Sequence, residues 1–190
     1  MVTRLNAYRA NYRVFGVEDG SFFRKEEKTL LVAVLMESWW IEDIVLGKIT
    51  VDGMDATETL VKMLRGFSFD AIMLSGVSYA GFNLIDPRIV YKEFGVPVII
   101  VCRSRPNNNA VRSALFDHFE DWKERWGIIE SLGEVYEVFS KRDAPPLFVE
   151  VIGGDFLWAK DLVCNLAFCC RIPEPIRIAR FIARGLSRPS

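Results

Sequence analysis

The chain has 190 residues, a length that suits one domain spanning 1–190 with a full-sized core. Hydrophobic residues make up 51% and charged residues 26%, which excludes a disordered chain. With 24 Lys and Arg against 25 Asp and Glu, the net charge of −1 excludes a strong whole-protein pull on nucleic acid and leaves only local patches to bind it.

The opening residues, MVTRLNAYRANYR, carry charge but no apolar core of the kind a signal peptide needs. No apolar stretch reaches the length of a membrane span, so no membrane partner is expected. The first apolar run is VFGVEDGSFF, Val14 to Phe23, of which Val14–Val17 reads as a strand. Asp-Gly-Ser is ordinary turn chemistry and accounts for where that strand stops. A carboxylate at the end of a buried strand is also tolerated where a cation or hydrogen-bond donors meet it.

KTLLVAVLMES and WWIEDIVLGKITV read as two further strands, meeting near Glu37-Ser38 in a short hairpin. Trp39 and Trp40 are expected to pack there as a strand-forming pair, one ring inward and one outward. Stacking on bases is their functional alternative. DATETLVKMLRGF has Leu60, Val61 and Leu64 at helical spacing, with Gly66 as the stop. FDAIMLS is a short continuous apolar run, as a buried parallel strand should be.

After GVSYAGFNLI, Asp86-Pro87 starts a helix through Phe94, Gly95 ends it, and VPVIIVC follows as another buried strand. Asn107 to Asn109 are placed to cap a helix running to about Trp126. GEVYEVF and PLFVEVI are β-prone pieces separated by the turn Asp143-Ala144-Pro145-Pro146. DFLWAKDLVCNLAFCC and PEPIRIARFIARG close the chain as helices. The order β-β-β-α-β-α-β followed by helices gives an α/β fold, a mixed sheet covered by helices on both faces. This is the ribonuclease H-like order, although a doubly wound nucleotide-binding fold gives similar late segments.

Cys102, Cys164, Cys169 and Cys170 form no Cys-x-x-Cys pair and read as reduced core residues of a cytoplasmic protein. His118 is the only histidine, so a zinc site is not expected. The basic patch lies at the end, where Arg171, Arg177, Arg180, Arg184 and Arg188 face a single Glu174.

Asp52 and Asp55 lie where the third strand passes into the first helix. Asp55 is a good N-cap with Glu58 at the matching capping-box position. The functional reading is that Asp19 and Asp55 meet at the ends of adjacent strands, where two carboxylates can hold Mg²⁺. In GVSYAGFN, Gly76 and Gly81 either admit a phosphate close to the backbone or satisfy positive φ angles. Asn83 is a candidate to hydrogen-bond a base, since a loop at the carboxyl end of a parallel strand is where ligands bind in such sheets.

GVEDGSF, ITVDGMDATE, GVSYAGFNLID, GVPVIIVCRSRP and IPEPIRIARFIARG, in this order, resemble successive signatures of the archaeal endonuclease dU family, which is similar in turn to endonuclease V. The likeness runs from about Gly16 to Gly185. It implies a ribonuclease H-like fold and a Mg²⁺-dependent endonuclease (Mn²⁺ as the alternative ion) that nicks DNA containing deoxyuridine or deoxyinosine.

By that resemblance Asp19 is the first-strand carboxylate, with Glu18 as the alternative because a shift of one residue reverses the strand face. Asp55-Ala56 falls where endonuclease V has Glu-Ala, and Arg103-Ser104 on its Lys-Ser, where a cation can neutralise the scissile phosphate. Endonuclease V ends its fourth strand in Asp-Gly where this chain has Ser75-Gly76, and follows its last-helix string with Asp or His where this chain has Arg180. Its aromatic wedge before the first helix has no counterpart in GKITVDG. Two carboxylates with Ser75 and Arg180 make a poor cage for two divalent ions, so a catalytically weakened nucleic-acid-binding protein is the alternative. The sequence leaves the oligomeric state open.

Overall fold

The computed structural model describes residues 11–22 and 26–187, so Phe23, Arg188 and most of the opening segment lie outside the described residues. Three antiparallel strands come first: β1 (Arg13–Asp19), β2 (Lys28–Glu37) and β3 (Trp40–Thr50). Helix α1 (Ala56–Leu64) leads to β4 (Ala71–Leu74), and two short strands, β5 (Ser78–Tyr79) and β6 (Asn83–Leu84), pair with each other in the loop that follows. Then come α2 (Pro87–Phe94), β7 (Val98–Cys102), α3 (Asn108–His118), α4 (Trp122–Glu130), β8 (Tyr136–Val138), β9 (Leu147–Ile152), α5 (Phe156–Leu166) and α6 (Glu174–Leu186).

The main sheet has seven strands in the order β3-β2-β1-β4-β7-β9-β8, with β4 parallel to β1 and β7 and the rest antiparallel. The expected mixed sheet with helices on both faces is therefore the observed one. Alternation along each strand divides the core. Phe15, Val17, Ile72, Leu74 and Ile100 join α1 on one face. Val14, Met73, Ile99 and Val101 pack with α5 and the start of α6 on the other, and Val32 and Val34 meet Ala179 and Ala183 of α6.

Several local expectations meet a tertiary correction. The segment after Asn107 is not one helix to Trp126. Asn107 does cap α3, accepting from the Ala110 amide at 3.1 Å. The helix then breaks at Phe119, whose backbone is extended and whose ring lies under the Arg125 guanidinium. Trp39 and Trp40 are both exposed, with the Trp39 ring against Phe168 rather than in the core. Cys169 and Cys170 are exposed beyond the end of α5, not core residues. Asp86 and Gly95 end α2 as their types dictate: the Asp86 carboxylate accepts from the Arg88 amide and Gly95 takes φ 68°.

Helix α6 lies so close to β1 that a Cβ at Gly16 would overlap the Pro175 carbonyl group. This contact sets the helix directly over the strand whose end carries Glu18 and Asp19. Gly16→Ala should lower stability by about 2 kcal/mol, the scale of an overpacked core, read as a shift in the urea midpoint.

Candidate active site

The parallel strands β1, β4 and β7 end on the same side of the sheet, the position where open α/β sheets bind ligands. Pairing of β1 with β4 stops at Val17–Leu74, whereas β1 continues along β2 through Glu18–Val32 and Asp19–Leu31. Two acidic residues thus project past the last parallel rung. Alternation sends them to opposite faces.

Glu18 takes the α6 face. It lines a cleft of about 360 Å³ with Ser75 at the end of β4, Arg103 and Ser104 after β7, and Arg180 of α6. The residue is 8% exposed, and its Oε2 is buried without a hydrogen-bond donor among the described residues. Burial pushes the Glu18 carboxyl up to about 7. The nearby Asp19 charge adds to that rise, while Ser75, Arg103 and Arg184 work against it.

Asp19 takes the other face and accepts from the Ala80 amide through Oδ2 at 2.5 Å. Burial raises its pKa as well, opposed by that hydrogen bond and by Arg184. Between the two acids stands Tyr79, buried, its hydroxyl accepting from the Ser75 amide at 3.1 Å. Burial and the charges of Glu18 and Asp19 hold the phenol well above its usual pKa, so it stays neutral. Nothing in the sequence GVSYAGFN marks Tyr79 ahead of its glycines and its asparagine.

Asp55 behaves differently from a helix cap. Its side chain makes no cap bond to α1, and Glu58 pairs with Lys62 instead of closing a capping box. The carboxylate turns back to accept from the Thr50 amide at 3.0 Å, the Thr50 hydroxyl at 2.8 Å and the Asn83 amide group at 2.5 Å. Burial acts to raise its pKa, but the bonds from Asn83 and Thr50 outweigh burial and keep it below the ordinary range. Asp52 takes φ 55° and accepts from the Phe82 amide at 2.8 Å.

Asn83, a candidate to hydrogen-bond a base, has its side chain engaged within the protein. It is fully buried, donates to the Thr50 carbonyl and Asp55, and accepts from the Ala56 amide at 2.9 Å. With both N–H donors spent inside the protein, Asn83 fixes the entrance of α1. Gly76 and Gly81 take φ of 88° and 85°, which accounts for both glycines. Arg177, counted with the basic patch, pairs with Glu174 through two nitrogens at 2.8 and 2.5 Å. Arg180 of α6 lines the cleft, and Arg184, one turn further along, is near enough for its charge to lower the pKa of Glu18 and Asp19.

The donor set fits one hard divalent cation and not two. Glu18 offers a buried anionic oxygen that lacks a partner, and Asp19 is close enough to feel its charge. Mg²⁺ is commonly held by one or two carboxylates together with water and substrate phosphate. Arg103 and Arg180 in the cleft occupy the space a second ion would need to neutralise, and among the described residues no three His, Cys, Asp or Glu side chains converge.

A family model described as endonuclease dU matches residues 10–187. A UPF0215 protein of Methanosarcina mazei is 34% identical over 180 residues, covering 92% of this chain and 90% of that one. A solved structure of a protein of unknown function from Archaeoglobus fulgidus superposes with a TM-score of 0.83 at 28% identity, covering 94% of this chain and 99% of that chain. Endonuclease V of Ciona intestinalis, solved with a 24mer DNA containing an inosine followed by a ribo-adenosine, gives a TM-score of 0.61 at 13% identity, with 92% and 85% covered. At that identity the likeness shows the ribonuclease H-like fold.

Because Glu18 moves from its ordinary 4.5 to about 7 on folding, the folded chain binds this proton more tightly than the unfolded one. The stabilisation is complete below pH 4.5 and is lost as pH rises through 7. In EDTA the protein should lose about 3 kcal/mol across that window, and Glu18→Gln should remove this loss. Urea unfolding of both proteins at pH 4.5 and above pH 7 measures the difference.

Proposed function

The chain belongs to the endonuclease dU family, and from that premise we propose that it is a slow, metal-dependent endonuclease that nicks DNA at deaminated bases. The observation that supports this reading is the Glu18 cleft, where an unpartnered buried carboxylate oxygen faces Arg103 and Arg180 across a space open to a phosphate. Glu18 would hold one Mg²⁺ or Mn²⁺ ion in the cleft, with water and substrate phosphate as its other ligands. Bound there, the ion supplies a Lewis acid that polarises the phosphoryl oxygen and makes a water more acidic.

The chain's own residues do the remaining work. Arg103 and Arg180 bind the scissile phosphodiester and offset charge that grows on its oxygens as the bond breaks. The Ser104 hydroxyl stands beside Arg103 as a further donor to the same group. Tyr79 keeps the end of β4 in place through Ser75 and, being neutral, adds no charge to the acids. Asp55 and Asn83 act through position, anchoring the loop that carries Ala80 to the entrance of α1. The four cysteines are free, which suits a reducing cytoplasm.

A second reading, a binding protein with weakened catalysis, is favoured by Ser75, which supplies no charge where a carboxylate would complete a second ion site. The two readings separate in a nicking assay on duplexes with a single uracil or hypoxanthine, run with Mg²⁺, Mn²⁺ or EDTA. Nicking with either ion and none in EDTA is expected, with Glu18→Gln lowering the rate by at least about 100-fold. Ser75→Asp should raise the Mg²⁺-dependent rate. Nicking that survives EDTA or Glu18→Gln overturns the assignment, and binding without nicking selects the second reading.

The arginines give an independent measurement. Arg103→Ala and Arg180→Ala should weaken DNA binding to a similar degree on all sequences and each reduce the salt slope by about one. An unchanged slope would remove both from the phosphate path.

A further inference from the structure

A second cavity, of about 470 Å³, lies across the sheet from the cleft and meets it at Ser75, Cys102 and Pro106. Its walls come from the Gly76 loop, the end of β7, α3 and α4, with the Trp126 ring on one side. On β9, opposite Ile100, sits Glu150. Its neighbours on this face are apolar, as expected for a strand buried on both sides, yet Glu150 is only 4% exposed. No protein donor among the described residues bonds its carboxyl group, which opens onto the cavity rather than being sealed from water as Glu18 Oε2 is. Removing a carboxylate from water without a partner is costly, and nothing in the packing of the sheet requires one there.

We propose that this cavity receives a nucleobase and that Glu150 determines which bases it accepts, by taking a hydrogen bond from a ring N–H while Trp126 stacks on the ring. The inference rests on the nuclease reading of the cleft, since a phosphodiester held by Arg103 and Arg180 leaves its base at the boundary the two cavities share. A volume of 470 Å³ lies within the range of small-molecule sites, which are mostly apolar with a few placed polar groups. Aromatic stacking serves every base alike, so selectivity falls to the carboxyl group.

The chemistry of deamination fits it. Adenine N1 and cytosine N3 carry a lone pair, which a carboxylate oxygen repels. Hypoxanthine N1 and uracil N3 carry a hydrogen, which it accepts. A site built around a substrate N–H rejects the analogue that lacks it, because the buried group is then left unpaired. Guanine and thymine also carry a ring N–H, but in a matched duplex each is paired and costs more to extrude than a mispaired base. Burial raises the Glu150 pKa, which works against the carboxylate form that this selection requires; Glu130 of α4 and the Cys102 thiol also line the cavity.

The test uses the full chain in EDTA, so that binding is read without cleavage. The probes are short single-stranded oligonucleotides of dA and dC carrying one central hypoxanthine, one uracil or neither. The native protein should prefer either modified strand by at least about tenfold, the scale of one hydrogen bond to a charged group. Glu150→Leu should abolish that preference and raise the thermal midpoint, because a carboxylate without a protein partner has been removed. Trp126→Leu should weaken binding of the strands without abolishing the preference, since stacking serves every base alike. A native protein without preference, or a preference that survives Glu150→Leu, overturns the proposal. Preference without nicking in Mg²⁺ leaves the pocket standing and removes the nuclease reading instead.

Discussion

The two-sided pairing of β1 is the constraint on which the site depends. With β2 on one side and β4 on the other, the strand cannot slip by a residue without turning Phe15 and Val17 out of one core and Val14 out of the other. Its register is therefore held by the whole hydrophobic interior. The consequence at its carboxyl end is that Glu18 and Asp19 are assigned to opposite faces with no freedom to exchange. Gly16 carries the same constraint to α6, since only a residue without a side chain lets Pro175 sit on the strand. Arg180 reaches the cleft because of that close approach.

A second polar framework holds the loops that complete the site. The Arg125 guanidinium, 4% exposed, donates to the Asp52 carbonyl at 3.0 Å, the Gly53 carbonyl at 3.0 Å and the Phe82 carbonyl at 2.6 Å, and pairs with Asp121 at 2.8 Å. It thereby ties α4 to two loops far apart in sequence. Asn83 joins the same loops to Thr50, Asp55 and Ala56. A buried polar network of this kind stabilises only when every member is satisfied, and these members are. The contrast with Glu18 is physical: its Oε2 is buried without a partner among the described residues, so its cost is borne by the rest of the fold. Groups of that sort concentrate where a molecule has something to bind.

The charge balance of the cleft explains why this site differs from a two-ion cage. Carboxylates attract cations only while their own field dominates. Here Arg103 and Arg184 lower the pKa of Glu18, and Arg180 lines the same space. A guanidinium can pair with a phosphate in two places at once, which a second ion would otherwise do, but it cannot act as a Lewis acid. Under the proposed function the arrangement would favour holding the phosphodiester over rapid cleavage.

Much of the fold was legible in the sequence because periodicity reports burial directly. The strands read at Val14–Val17 and KTLLVAVLMES, the continuous apolar runs of β4 and β7, and the Asp86-Pro87 and Gly95 signals are local facts that the structure keeps. The acidic pair at the end of β1 was also visible, together with Ser75, Arg103 and Arg180 as points of interest. What remained hidden depends on contacts across many residues. Sequence could not decide that Glu18 rather than Asp19 shares the cleft with Ser75 and Arg180, because face assignment is fixed by which helix covers which side of β1. Nor could it show that Asp55 turns away from its helix, because the competing donors Thr50 and Asn83 meet it only in three dimensions. Glu150 read as one polar letter in PLFVEVI, and only the burial of β9 between two layers made it a carboxyl group without a partner.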